Sequence, residues 1–171
     1  MATGLQSYLK CCTISYEADI RTAATSSGAD LRNKSCLFGH VLHARTTAFL
    51  AKDEVHTAFV LFAKRAKDNF NVAVGRYVIM PDHVHLFVRG DYNFRLGPWI
   101  GALKQALAKS ATLSRAEGQI WEEGFFDHVL RSNESYSQKW NYVRENPVRA
   151  GLVKSAADWP YQGEIAYIDR A

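Results

Sequence analysis

Residues 77–89, YVIMPDHVHLFVR, set two histidines at i and i+2 into an apolar run that follows a Pro-Asp step. On an extended strand successive side chains alternate between faces. His83 and His85 therefore share one face, while Val84 and Leu86 turn to the other, toward a core. Pro81-Asp82 is good turn chemistry, so residues 71–80 and 83–89 read as two strands, either a hairpin or one long kinked strand. Upstream, Phe38, His40 and Leu42 alternate within a first strand near residues 36–44. Val55, Ala58, Phe59, Phe62, Ala63 and Ala66 recur at helical spacing, predicting an amphipathic helix over 52–70 with Asp53 as its cap. Downstream, Ile100, Leu103, Leu107 and Ala111 mark a second helix over 97–114, with Pro98 in its first turn. A short strand is expected at 127–131. A third helix runs from Asn133 to about Glu145, ended by Pro147, with Gly151 marking a turn. This order predicts a single α+β domain, an antiparallel sheet with helices packed on it.

Length and composition narrow the classes without choosing among them. A chain of 171 residues fits one domain and buries roughly two thirds of its unfolded surface. A formal charge of +4 is compatible with a polyanionic partner but too mild to establish one. Cys11, Cys12 and Cys36 are odd in number and form no CxxC pair, which argues against a disulfide framework or a cysteine zinc site and for a reducing cytoplasm. No run approaches the ~18 apolar residues of a membrane span, and the first residues lack a basic start followed by an apolar core. Residues 1–34 lack any sustained apolar period and read as an N-terminal extension to a domain over 35–171.

Adjacent imidazoles invite a metal, although a His-x-His pair is also compatible with two polar residues on a solvated face. A useful site needs a further ligand. His40, His43, Asn146 and several carboxylates qualify by type. Zinc would favour a histidine or a carboxylate, whereas an oxygen ligand beside open positions also suits magnesium or manganese. Residues 140–147, WNYVRENP, put Tyr142 and Asn146 one helical turn apart on one face. Tyr142 is one of eight tyrosines and is compatible with a core aromatic. Beside a metal, however, a tyrosine becomes a nucleophile suited to attack on a phosphodiester.

At this point the chain resembles the single-tyrosine HUH endonucleases and transposases, and within them the REP-associated tyrosine transposases. The resemblance rests on VIMPDHVHLFV, IWEEGFFDHVLRSNESY, NYVRENPVRAGLV and DWPY, in that order over about residues 36–161. It implies a ferredoxin-like or RRM-like antiparallel sheet with the histidines on a central strand. It implies a divalent metal, Mg²⁺ or Mn²⁺, held by His83, His85 and Asn146, with Tyr142 as nucleophile. Tyr136, the nearest competitor, lies earlier than the matching position. The implied substrate is single-stranded DNA with hairpins, cut to a 5′-phosphotyrosine and a free 3′-hydroxyl in the bacterial cytoplasm at the nucleoid. The enzyme would act as a monomer or a homodimer.

Lys139 and Arg144, close to Tyr142 in sequence, lead the candidates for DNA phosphate contacts; Arg131, Lys104, Arg45, Lys109 and Arg149 follow. Trp99, Trp121 and Phe126 are candidates for stacking on unpaired bases. Two rivals stand beside the nuclease: a catalytically idle module that binds hairpin nucleic acid, and a metal hydrolase using activated water, for which Tyr142 would be dispensable.

Overall fold

The Pro81-Asp82 step makes a hairpin. β2 (Val72–Ile79) and β3 (His83–Gly90) pair antiparallel, and the turn closes through the Met80 N–H donating to the His83 carbonyl at 2.7 Å. The computed structural model describes residues 36–44, 49–91, 94–111, 120–122, 126–130 and 133–168. The extension expected over 1–34 lies outside them. β1 (Cys36–His43) pairs antiparallel with β3 on its other side, and β4 (Phe126–Leu130) pairs with β1. Between the strands run α1 (Asp53–Phe70) and α2 (Leu96–Ser110). Beyond β4 come α3 (Asn133–Arg144), the single turn α4 (Asn146–Arg149), a 3-10 turn at Ala156–Asp158 and β5 (Gln162–Glu164). The sheet order is β4-β1-β3-β2-β5. Its first four strands and two helices form the βαββαβ arrangement of the ferredoxin-like fold, as expected, with the histidine strand at the centre.

Two cores lie on the two faces of this sheet. On one, Val72, Val74, Tyr77, Ile79, Val84, Leu86 and Val88 pack beneath α1 and α2, which contribute Val55, Phe59, Ala63, Trp99, Leu103 and Leu107. On the other, Val78, Met80 and Phe87 pack with Tyr136, Val143, Trp159 and Ile168. In β2 the inward parity changes from Val72 and Val74 to Tyr77 and Ile79, because a bulge between Val74 and Tyr77 inserts one residue opposite β3.

Several boundaries differ from expectation. The cap position of α1 is Lys52, with no side-chain cap bond. Asp53 is instead the first helical residue, at the positive end of the helix, and accepts a hydrogen bond from the Tyr161 hydroxyl at 3.2 Å. α2 ends at Ser110, short of 114, where the Ser110 hydroxyl donates to the Leu107 carbonyl at 2.8 Å. Pro147 does not stop the helical path. The chain pauses at Glu145 and restarts as α4 with Pro147 in the first turn, where its missing N–H costs nothing. α1 ends with Asn71 at φ 51°, and Gly151 (φ 70°) makes the turn expected of it.

Candidate active site

The histidine pair is set by the hairpin. The Pro81 and Asp82 carbonyls accept hydrogen bonds from the Leu50 N–H at 3.0 Å and the Ala44 N–H at 2.7 Å, so the turn is tied to the segment after β1. From that fixed turn the Asp82 carboxylate reaches His83 Nδ1 at 2.7 Å. His83 Nε2 and His85 Nε2 lie 3.1 Å apart, with the rings nearly perpendicular at 87°. Both imidazoles are half-buried. A His83 Nδ1–H donated to Asp82 assigns the tautomer whose Nε2 carries the lone pair, and that lone pair is turned toward His85. Two convergent imidazole nitrogens with a carboxylate behind one of them fit a divalent metal. Among the described residues, no group of three or more His, Cys, Asp and Glu side chains gathers that could hold an ion; the side chains of His40 and His43 lie outside them.

α3 lies on the same side of the sheet as these imidazoles. Phe87, two residues beyond His85 on the same face, meets Tyr136 edge-on with centroids 4.9 Å apart, and meets Trp140 at 6.5 Å. Tyr136, Trp140, Val143 and Pro147 follow helical spacing and form the inward stripe. Arg76, at the β2 bulge, places its guanidinium over both the Tyr136 and Trp140 rings at 5.4 and 5.6 Å and pairs with Glu164 at 3.4 Å. This clamp holds the helix to the sheet edge. Gly75 leaves room for the same packing, since a Cβ there would fall 2.4 Å from Ile168 Cδ1 and 3.2 Å from the Tyr136 hydroxyl.

The two tyrosines of α3 are thereby separated by environment. Tyr136 is 0% exposed and belongs to the core, whereas Tyr142 is 51% exposed. Tyr142 and Asn146 come together through Arg149. Its guanidinium lies 4.1 Å from the Tyr142 ring centroid, donates from Nη1 to the Tyr142 carbonyl at 2.9 Å, and donates from Nη2 to Asn146 Oδ1. The structure thus forms two sets on one side of the sheet: Asp82, His83 and His85 on the hairpin, and Tyr142, Asn146 and Arg149 on the helix.

The candidate DNA contacts divide. Lys139 and Arg144 are exposed, and Arg144 lies 3.4 Å from Glu145. Lys104 is half-buried, donates to the Glu122 carbonyl at 3.0 Å and sits over the Trp121 ring; burial lowers its pKa, partly opposed by Glu122. Lys109 is exposed. Arg45 and Arg131 lie outside the described residues, as does the Phe126 side chain. Trp99 is 1% exposed in the core and cannot stack on a base there; Trp121 packs edge-on against Phe49 and donates to the Lys104 carbonyl at 3.0 Å. Two residues of the site were not singled out from sequence. Asp82 read as a turn residue, although an acid beside a His-x-His pair is a usable signal for a partner of the first imidazole. Arg76 carried none, because its role depends on the bulge.

A sequence profile of IS200-like transposases matches residues 34–146, more than half of the chain. A Haemophilus influenzae protein assigned to the REP-associated tyrosine transposases is 26% identical over 137 residues, covering 72% of this chain and 76% of that one. The Escherichia coli REP-associated tyrosine transposase is 29% identical over 91 residues, 52% of each chain. A solved structure of a REP-associated tyrosine transposase bound to a REP hairpin superimposes with a TM-score of 0.60 at 20% identity over 80% of both chains, which establishes the shared fold. The protein belongs to the IS200-like transposase family.

Proposed function

We propose that this protein is a metal-dependent nuclease and strand transferase that acts on hairpin-bearing single-stranded DNA through Tyr142. The observation that carries the reading is the pair of imidazole nitrogens 3.1 Å apart on the sheet side where α3 presents an exposed tyrosine. The relatives add weight, since the solved one is bound to a REP hairpin. His83, His85 and Asn146 would hold a magnesium or manganese ion. When bound, such an ion supplies Lewis-acid polarisation of the scissile phosphate and offsets the charge gathering on its oxygens.

The remaining chemistry belongs to the chain. Tyr142 Oη attacks phosphorus as its proton passes to solvent. The P–O3′ bond breaks, the 3′-oxygen leaves and is protonated, and the 5′-phosphate stays on the tyrosine. The phosphoester bond is conserved, so a 3′-hydroxyl can later reverse the step and rejoin strands. Asp82 holds the His83 ring against rotation. Exposed Lys139 and Arg144 flank the nucleophile, where phosphates would pass. No described helix is long and apolar enough to cross a membrane, and we place the activity with chromosomal DNA in the bacterial cytoplasm.

The test is incubation with labelled hairpin oligonucleotides and Mg²⁺ or Mn²⁺, followed by denaturing electrophoresis, beside Tyr142→Phe and Tyr136→Phe. The expected result is a metal-dependent covalent adduct that survives Tyr136→Phe and vanishes in Tyr142→Phe. Cleavage that persists without Tyr142 would assign attack to water. Binding with no adduct across varied hairpins would leave a binding module.

A further inference from the structure

We propose that Arg149 is a positioning residue that fixes the nucleophile and the amide of Asn146 as one unit. This inference rests on the proposed role of Tyr142. Arg149 follows Asn146 by three positions, so the single turn α4 carries the guanidinium back over the end of α3. There it makes three contacts at once: a hydrogen bond to the Tyr142 carbonyl, a hydrogen bond to Asn146 Oδ1, and a face contact with the Tyr142 ring.

Each contact answers a physical need. The Tyr142 carbonyl lies in the last turn of α3, and the Arg149 donor ties it to α4. A guanidinium 4.1 Å from the centroid of this exposed ring favours the rotamer that keeps the contact. An amide side chain can present either oxygen or nitrogen outward. The Arg149 donor takes one of the two lone pairs of Oδ1 and fixes the plane of the group, leaving the other lone pair for a metal. The planar fork matters here, because one Lys ammonium cannot stack on the ring and donate in two fixed directions. Arg149 is thus distinct from a phosphate contact, whose loss would weaken DNA binding in place of slowing attack.

The experiment measures single-turnover adduct formation at saturating hairpin DNA, the DNA dissociation constant and the thermal melt for Arg149→Ala and Arg149→Lys. Misplacement of a reacting group by an ångström costs about 10²-fold, and that is the expected loss of rate in Arg149→Ala, with DNA affinity and melting unchanged. Arg149→Lys should be slowed nearly as much despite keeping the charge, and added guanidinium should restore part of the rate to Arg149→Ala but not to Tyr142→Phe. If Arg149→Ala does not fold, Arg149→Lys alone decides. A wild-type rate in the folded variants, or a loss confined to DNA affinity, overturns the proposal. Absence of any adduct in the wild-type protein would instead overturn the role of Tyr142.

Discussion

The two faces of the sheet are made by the same strands yet serve different ends. Beneath α1 and α2, the side chains of β2 and β3 are apolar along their length and fully buried, apart from the Tyr77 hydroxyl, which meets His56 Nε2 at 2.8 Å. Beneath α3 the apolar cover is concentrated around Val78, Phe87 and Tyr136, and the hairpin end of β3 carries two half-buried imidazoles. Stability is thus spread over one face, and polar chemistry sits at one end of the other. Two residues per turn of pleat suffice to keep them apart.

The largest expected effect that tests this division is on chemistry. His83→Ala combined with His85→Ala should lower adduct formation by about 10³-fold, since a bound metal supplies several kcal/mol to the transition state. Its urea midpoint should move little, and a large loss of stability would mean that the imidazoles belong to the fold. Leu103→Ala on the opposite face should do the reverse, costing about 3 kcal/mol by urea denaturation with the rate per folded molecule kept. A specific rate loss there would show that the two faces are coupled. Asp82→Asn should weaken Mn²⁺ binding by about 10-fold or more through loss of the carboxylate behind His83, measured by calorimetry without DNA. Gly75→Ala should cost about 1 kcal/mol by pushing on Ile168, and unchanged stability would mean that the C-terminal packing gives way freely.

The smallest effect is on pH dependence. Burial lowers the pKa of His56, with Asp53 opposing, and burial raises that of Tyr77. Folded His56 binds its proton more weakly than unfolded histidine, so its contribution is full above 6.5 and is lost as pH falls below that value. Folded Tyr77 gives up its proton later than unfolded tyrosine, so stability falls as pH rises past 10.0. Melting temperature should show a plateau between these limits. His56→Gln should flatten the decline below pH 6.5, whereas an unaltered decline would assign it to other groups.

β1, β3 and the first two helices were legible because their apolar residues keep a period of two or of three to four. The end of α2 and the restart after Pro147 were not, since each turns on one local bond or on a ring that suits a helix start as well as a stop. β5 is three residues, Gln162–Glu164, with no apolar alternation; it exists because the β2 edge accepts it and because Trp159 Nε1 donates to the Ile79 carbonyl at 3.0 Å. At the site, His83, His85, Tyr142 and Asn146 stood out by type and spacing. What spacing could not tell was exposure, and exposure is what separates Tyr142 from Tyr136.

The extra residue in β2 gives the strand two neighbouring positions, Gly75 and Arg76, that both face α3. Val72 and Val74 on one side of the bulge and Tyr77 and Ile79 on the other reach the same core although two residues, where regular alternation has one, lie between them. Removing one residue between Val74 and Tyr77 would leave a regular ladder with both pairs still in the α1–α2 core but a single residue facing α3, so either the close approach at Gly75 or the Arg76 clamp would be lost.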